Sequence, residues 1–196
     1  EIQIGGSAVR VSHFTKDPDR RFVLDAAKAL KDGTGILMSW DHARIIHLFA
    51  SRGDADGFDA AFLDAGGTVI EIQELPGASD VGITSAKEAV HALALPRGWA
   101  QRAGIVPGTQ ATFSGDLAGA KIDPMPEVDV ASHKVHVETS HVSWQRTRGL
   151  QHRKRISEHD GMLFFYGAPR HISFWMHMCY IGLDIAYFDA DLNLLN

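Results

Sequence analysis

Two runs carry the residues with the plainest chemical potential. Phe58-Asp59-Ala60-Ala61-Phe62-Leu63 and Leu183-Asp184-Ile185-Ala186-Tyr187-Phe188 each hold one carboxylate inside an apolar stretch. Alternate residues are apolar on both sides, which reads as a strand buried on both faces. A carboxylate so placed points into an interior or a cleft wall, where it must be paired, hydrogen-bonded or protonated. Arg44 and Arg170 are the guanidiniums on offer. Two chemistries follow. In one, Asp59 and Asp184 are structural, accepting backbone N–H groups or pairing with Arg44 and Arg170. In the other, they grip a ligand or act as acid and base in clefts beside those arginines. The structural reading is preferred.

The 11 histidines and the single cysteine, Cys179, raise soft-metal chemistry. His171, His177 and Cys179 are close in sequence, but alternation puts His171 with Ser173 and Trp175 on one strand face, and His177 and Cys179 lie past its end. His133 and His136 point to opposite faces of a strand. No fixed ligand spacing results, so no metal and no other cofactor is expected, and folding is not expected to need one. Nucleophilic catalysis has less support: there is no Gly-x-Ser-x-Gly, no phosphate-binding loop and no dinucleotide fingerprint. Cys179 reads as a packing residue. Arg146, Arg148, Arg153, Lys154 and Arg155 near Trp144 read as a solvated basic face, with an anion-binding patch as the alternative.

The elements that would position these residues are mostly strands. Residues 1–13 alternate around Gly5-Gly6-Ser7, the pattern of a hairpin. Asp17-Pro18 opens a helix over 18–31, stopped at Asp32-Gly33. From Gly35 the period changes to short aromatic and branched runs: 35–40, 44–50 and 58–65. Ala65-Gly66-Gly67 is a tight turn returning through Thr68 to Gln73. Val90 to Leu95 is a strand, Pro96 to Ala103 one or two helical turns, and Ala111 to Phe113 a closing strand. Residues 114–131, with Pro124, Pro126 and scattered acids, read as a linker. His133 to Glu138 is a strand, 143–155 a helical or turn segment, and 161–166, 170–176 and 183–190 are strands.

Composition bounds the class. A chain of 196 residues with 45% hydrophobic and 22% charged residues is ordinary globular protein. A net charge of −5 gives no basic excess for phosphates, so no nucleic-acid partner is expected. No run reaches the roughly 18 apolar residues of a membrane span. One cysteine excludes an internal disulfide framework. The chain begins at Glu1 without an initiator Met, which leaves a removed leader, and so a periplasmic or extracellular location, open beside a cytoplasmic one.

The pattern also repeats. Gly35 and Gly161, Arg44 and Arg170, and Phe49 and Trp175 are 126 apart; Asp59 and Asp184, and Asp64 and Asp189, are 125 apart. The expected organisation is two related units, 1–113 and 132–196, joined by 114–131.

Residues 148–196 carry a resemblance. Arg148-Gly149-Leu150, Gly161 to Phe164, Phe174-Trp175-Met176 and Leu183-Asp184-Ile185 resemble, in order, the motifs of the DUF192 family, a group of small bacterial and archaeal domains. Gly35 to Leu37, Phe58-Asp59-Ala60, Asp64 and Leu95 to Ala100 resemble it in the first half. The family's Asn-Thr falls on Met178-Cys179, its Pro on Gly182, and Ala50 stands where Met is expected. No counterpart of Val90 to Phe113 follows Ala190. The resemblance implies a compact, mostly β domain with short helices, and no reaction.

The expected fold is therefore mainly β (α+β in detail), two related small barrels or sandwiches with short helices. The expected function is a non-enzymatic binding or assembly module, with Trp40, Trp99, Trp144 and Trp175 as contact residues. Its partner is another protein, or a second copy, at the open sheet edge of the shortened second unit; a small molecule or glycan is the other ligand class. The alternative is a hydrolase-like or carbohydrate-active protein built on Asp59 and Asp184.

Overall fold

Short runs of β-branched and aromatic residues, cut by glycine turns, become strands along most of the chain. The computed structural model describes residues 1–16, 30–49, 56–77 and 82–195; the helix expected over 18–31 falls almost wholly outside them. The first 113 residues hold β1 (Ile2–Ile4), β2 (Ser7–Phe14), β3 (Thr34–Arg44), β4 (His47–Leu48), β5 (Phe58–Leu63), β6 (Val69–Leu75), β7 (Ile83–Thr84), β8 (Ala89–Pro96), one helical turn α1 (Trp99–Arg102) and β9 (Ala111–Phe113). Seven of these strands form one sheet in the order β6-β5-β8-β3-β2-β1-β9, and β4 pairs with β7 apart from it.

The sheet curls into a half-barrel. Its two ends approach at the turn expected over Ala65-Gly66-Gly67: Thr68 bridges Gln110, and the Ala111 N–H donates to Gly67 O at 2.9 Å. Gly67 has φ +83°, and a Cβ there would lie 2.6 Å from Ala111 O, so glycine alone permits the closure. Both faces are buried. Ile36, Met38, Phe58, Phe62 and Ala92 pack on one; Leu37, Leu63, Leu93, Leu95 and Trp99 pack on the other.

The remaining residues make a second, three-stranded sheet from β10 (Glu127–Val130), β11 (His133–Ser140) and β12 (Asp160–Phe164), with α2 (Ser143–Arg148) between the last two. The segment expected as a linker thus contributes a strand, and Met125 from it is buried in the core of the first sheet. Its register follows that of β1-β2-β3. Ile2 faces Val9 and Val128 faces Val135 in antiparallel pairs; Val11 faces Gly35 and Val137 faces Gly161 in parallel pairs. Every position in the second set lies 126 residues after its counterpart.

The strands expected over 170–176 and 183–190 do not form; only an isolated bridge joins Phe188 and Leu194. The reason is a missing ladder. In the first sheet β5 is flanked by β6 and β8, and no described strand after Phe164 supplies either neighbour. The turn that would follow does form. Asp64 Oδ1 accepts the N–H groups of Gly66 and Thr68, and Asp189 Oδ1 accepts those of Asp191 and Asn193, each 125 residues on. The Thr68 N–H, ahead of the other bonds, holds the Asp64 carboxyl below its usual range, and the Asn193 side-chain amide, followed by the Asn193 N–H, does the same for Asp189. The N-terminal strand β1 pairs with β2 and β9.

One polar chain crosses the first sheet. Ser39 Oγ, fully buried, lies 2.8 Å from His13 Nε2 and 2.7 Å from His91 Nδ1. Burial, aided by the neighbouring His13, lowers the His91 pKa to about 4, while Asp64 opposes the shift. The unfolded chain takes up this proton below about pH 6.5 and the folded chain only near pH 4, so acid favours unfolding. Wild type should lose up to about 3 kcal/mol of stability between these pH values relative to His91→Asn. Urea denaturation of both across that range checks it; parallel curves would contradict it.

Candidate functional site

The two sheets meet through charge. On β3, His42 and Arg44 share a face; on β11, His136 and Glu138 do. Each pair is spaced by two, so each strand delivers one imidazole and one charged group to the same side. Asp160, the first residue of β12, lies between them, and Arg153 enters from the connection between α2 and β12.

Arg44 is 1% exposed, and its Nη2 donates to Glu138 Oε1 at 2.9 Å. The same nitrogen is 3.0 Å from Asp160 Oδ2, an ion contact without hydrogen-bond alignment. The Met125 thioether packs on Nη1. Arg153 binds Glu138 with both terminal nitrogens, at 2.8 and 2.6 Å, a fork matched to a carboxylate. Burial works against the Arg153 charge, but Glu138, supported by Asp160, outweighs it and raises the pKa. Asp160 shifts upward: its desolvation, with the nearby Glu138 carboxylate, outweighs the help of Arg44 and His42.

The imidazoles surround this pairing. His42 and His136 stack with centroids 4.0 Å apart. His42 Nδ1 lies 3.0 Å from Asp41 Oδ1, and His136 Nε2 lies 3.3 Å from Glu127 Oε1. Both rings turn their other nitrogen towards Asp160 Oδ1, at 3.5 Å for His42 and 3.8 Å for His136. His47, on β4, binds Thr84 Oγ1 at 2.9 Å. Burial, followed by the Arg153 charge, lowers its pKa far enough to keep it neutral.

The residues expected to do chemistry are distributed differently. Asp59 does not pair with Arg44. Its Oδ1 accepts the Gly98 N–H at 3.0 Å and its Oδ2 the Ala100 N–H at 2.9 Å, so the carboxylate holds the start of α1. Arg44 is drawn instead to the carboxylates of the second sheet. Asp184 is exposed in a segment without regular structure, and the Arg170 guanidinium lies 5.7 Å from the Tyr166 ring centroid. Trp40 and Trp99, expected as contact aromatics, are buried, because apolar alternation places them in the core. Trp144 and Trp175 are exposed. Ser39 touches two histidines but is sealed from solvent, which denies a substrate access.

His42, Glu138 and Asp160 are not among the sequence candidates, His136 enters there only beside His133, and Arg153 only in the basic segment, yet a signal exists. His42-x-Arg44 and His136-x-Glu138 each set two polar groups on one face of a strand. What spacing does not supply is that the two faces meet.

A family model described as uncharacterized ACR, DUF192, matches residues 1–113 and 126–196. The chain belongs to the DUF192 family. No curated protein matches it. Two solved structures are similar. A proposed transcription regulator from Sinorhizobium meliloti is 19% identical with a TM-score of 0.50, over 57% of this chain and 90% of that one. A protein of unknown function from Novosphingobium aromaticivorans is 17% identical with a TM-score of 0.52, over 57% of this chain and 83% of that one. At these identities the likeness concerns the fold alone. The resumption of the DUF192 match at residue 126 fits the structure, in which β10 begins at Glu127.

Removing one partner from the buried network leaves an unpaired charge. Arg44→Ala should therefore lose about 3–5 kcal/mol of stability. Adding Glu138→Gln should not add its full separate cost, because the two groups share one interaction. Urea denaturation of the double-mutant cycle measures both; strict additivity would show that the pair is uncoupled.

Proposed function

We propose that this DUF192 protein is a non-enzymatic binding or assembly module, made of two related units, whose second unit docks another polypeptide. The observation that carries the reading is the exposed apolar surface of the second unit. Apart from Val106, every large apolar side chain exposed among the described residues lies between Val142 and Leu195. Trp175 is 70% exposed and Leu192 80%, and Tyr180, Ile185, Leu194 and Leu195 accompany them. Concentrated apolar exposure of this kind marks an interaction surface.

The relation between the units rests on the repeated register and on the paired Asp64 and Asp189 turns. The mode of docking follows from β12. It has β11 on one side and no described strand on the other, which leaves backbone groups for an added strand. The acid/base alternative loses its footing at Asp59, whose two oxygens are both taken by backbone N–H groups.

Analytical ultracentrifugation of the full chain provides the test for a second copy as the occupant. Concentration-dependent association is expected. Trp175→Ser with Leu192→Ser should weaken it at least about tenfold, the loss expected when central aromatic and aliphatic anchors are removed. Because both side chains are exposed, the melting temperature should hardly move. A photo-crosslinker at position 175 separates a foreign partner from a second copy by the mass of the adduct. A monomer at the highest attainable concentration, with no crosslinked polypeptide from its native host, would overturn the reading.

A further inference from the structure

We propose that His42, His136 and Asp160 form a binding site for a divalent transition-metal ion, zinc or a cation of similar chemistry, at the seam between the two sheets. The proposal does not depend on the docking reading. One ring nitrogen of His42, one of His136 and an Asp160 carboxylate oxygen lie within 4.8 Å of one another, and His42 Nε2 and His136 Nδ1 are the nitrogens turned to Asp160. His42 Nε2 is 3.5 Å and His136 Nδ1 3.8 Å from the same oxygen, Oδ1. Ligands about 2.0–2.2 Å from a zinc ion stand roughly 3–3.5 Å apart, so small side-chain rotations bring all three to bonding distance.

The outer contacts make the set specific. Asp41 faces Nδ1 of His42 and Glu127 faces Nε2 of His136. A carboxylate holds an N–H on the nitrogen it faces, which leaves the lone pair on the other. Both lone pairs then aim at Asp160 Oδ1, itself an acceptor. Three acceptors converging with no donor among them is unfavourable, and a cation relieves it. Consistent with this, His42 Nε2 is buried and has no hydrogen-bond partner. Arg44, 3.0 Å from Oδ2, orients the Asp160 carboxylate so that Oδ1 faces the rings.

Two imidazoles and one carboxylate suit zinc and its neighbours better than magnesium or calcium, which prefer all-oxygen sets. Three protein ligands leave a coordination position for water or another group. Backing of each histidine by a carboxylate is the usual outer arrangement of such sites. The converging residues come from β3, β11 and β12, so an ion held here would also tie the two sheets together.

The full chain, stripped with a chelator and dialysed, should be titrated with Zn²⁺ and with Co²⁺. One equivalent is expected to bind, with visible Co²⁺ absorption bands and a rise in melting temperature on adding Zn²⁺. His42→Gln and His136→Gln should each abolish the bands, whereas His133→Gln, on the exposed other face of β11, should keep them. If the first two variants fail to fold, Glu127→Gln decides, since its side chain is largely exposed. It should weaken binding about 10-fold or more, the usual consequence of losing such a backing group. No stoichiometric binding would overturn the proposal and leave a proton as the bridging cation. So would binding unchanged in Glu127→Gln and in the double variant His42→Gln/His136→Gln, which would mark an adventitious ion only.

Discussion

Arg44 is a buried guanidinium on a strand of one sheet whose partner carboxylates, Glu138 and Asp160, belong to another. Removing such a charge from water costs several kcal/mol, and only well-placed opposite charges offset it. The relative position of the two sheets is therefore constrained by the need to keep Glu138 and Asp160 within reach of Arg44. Arg153 adds a second guanidinium on Glu138. Two cations and two anions are then buried together, close to neutrality as a group. A lysine at 44 would supply the charge but not the planar fork that lets one side chain contact two carboxylates and a thioether. A network of this kind is weak evidence for stability, since apolar residues of the same volume often do as well. Its contribution here is geometrical: it admits few orientations, where an apolar interface admits many.

Much of the first sheet is legible from the residues. The turn at Ala65-Gly66-Gly67, the strand over Val90 to Leu95, the helical turn near Trp99 and the closing strand at Ala111 all follow from local signals. Their partners lie within the same 113 residues. The candidate site is not legible in the same way. Asp59 stands out because a carboxylate in an apolar run is conspicuous, and backbone N–H groups are among the partners such a run calls for, but that they are those of Gly98 and Ala100 rather than the Arg44 guanidinium is set by the fold. His42 does not stand out, and His136 stands out only beside His133, which points to the other face of β11. Their meeting depends on which face of one sheet packs on which face of another, a long-range property that spacing along the chain does not encode.

The strands expected over 170–176 and 183–190 fail for a related reason. Alternation describes what a strand would bury, not whether a ladder exists to hold it. In the first sheet, β5 has the same apolar alternation around one Asp as 183–188 and is a strand because β6 and β8 bracket it. The Asp189 turn forms regardless, since a side chain accepting its own backbone's N–H groups needs no distant partner. Local interactions thus repeat between the two halves, while those requiring a neighbouring strand do not.

This division bears on the proposed docking surface. The two apolar clusters of the core draw almost all their members from the first 113 residues. Among the described residues, Met125 and Val137 are the only buried apolar residues after them. The later residues, from Phe164 through Trp175 and Ile185 to Leu195, are nonetheless of core type, and the contacts that join the second sheet and its connections to the first are largely polar: the Arg44 ion pairs, the Ile45 N–H on Ser157 Oγ, Arg155 on the Ala86 carbonyl and Arg148 over the Phe49 ring. Such contacts position the second sheet while Trp175, Tyr180, Ile185, Leu192, Leu194 and Leu195 keep apolar area in water. Apolar area left in water forfeits about 25 cal/mol for each Å² that could be covered. The driving force for covering it is therefore present in the folded chain. Polar joining of the two sheets and apolar exposure of the residues that follow the second are two consequences of one arrangement, and a polypeptide seated along β12 would answer both the open edge and the uncovered side chains.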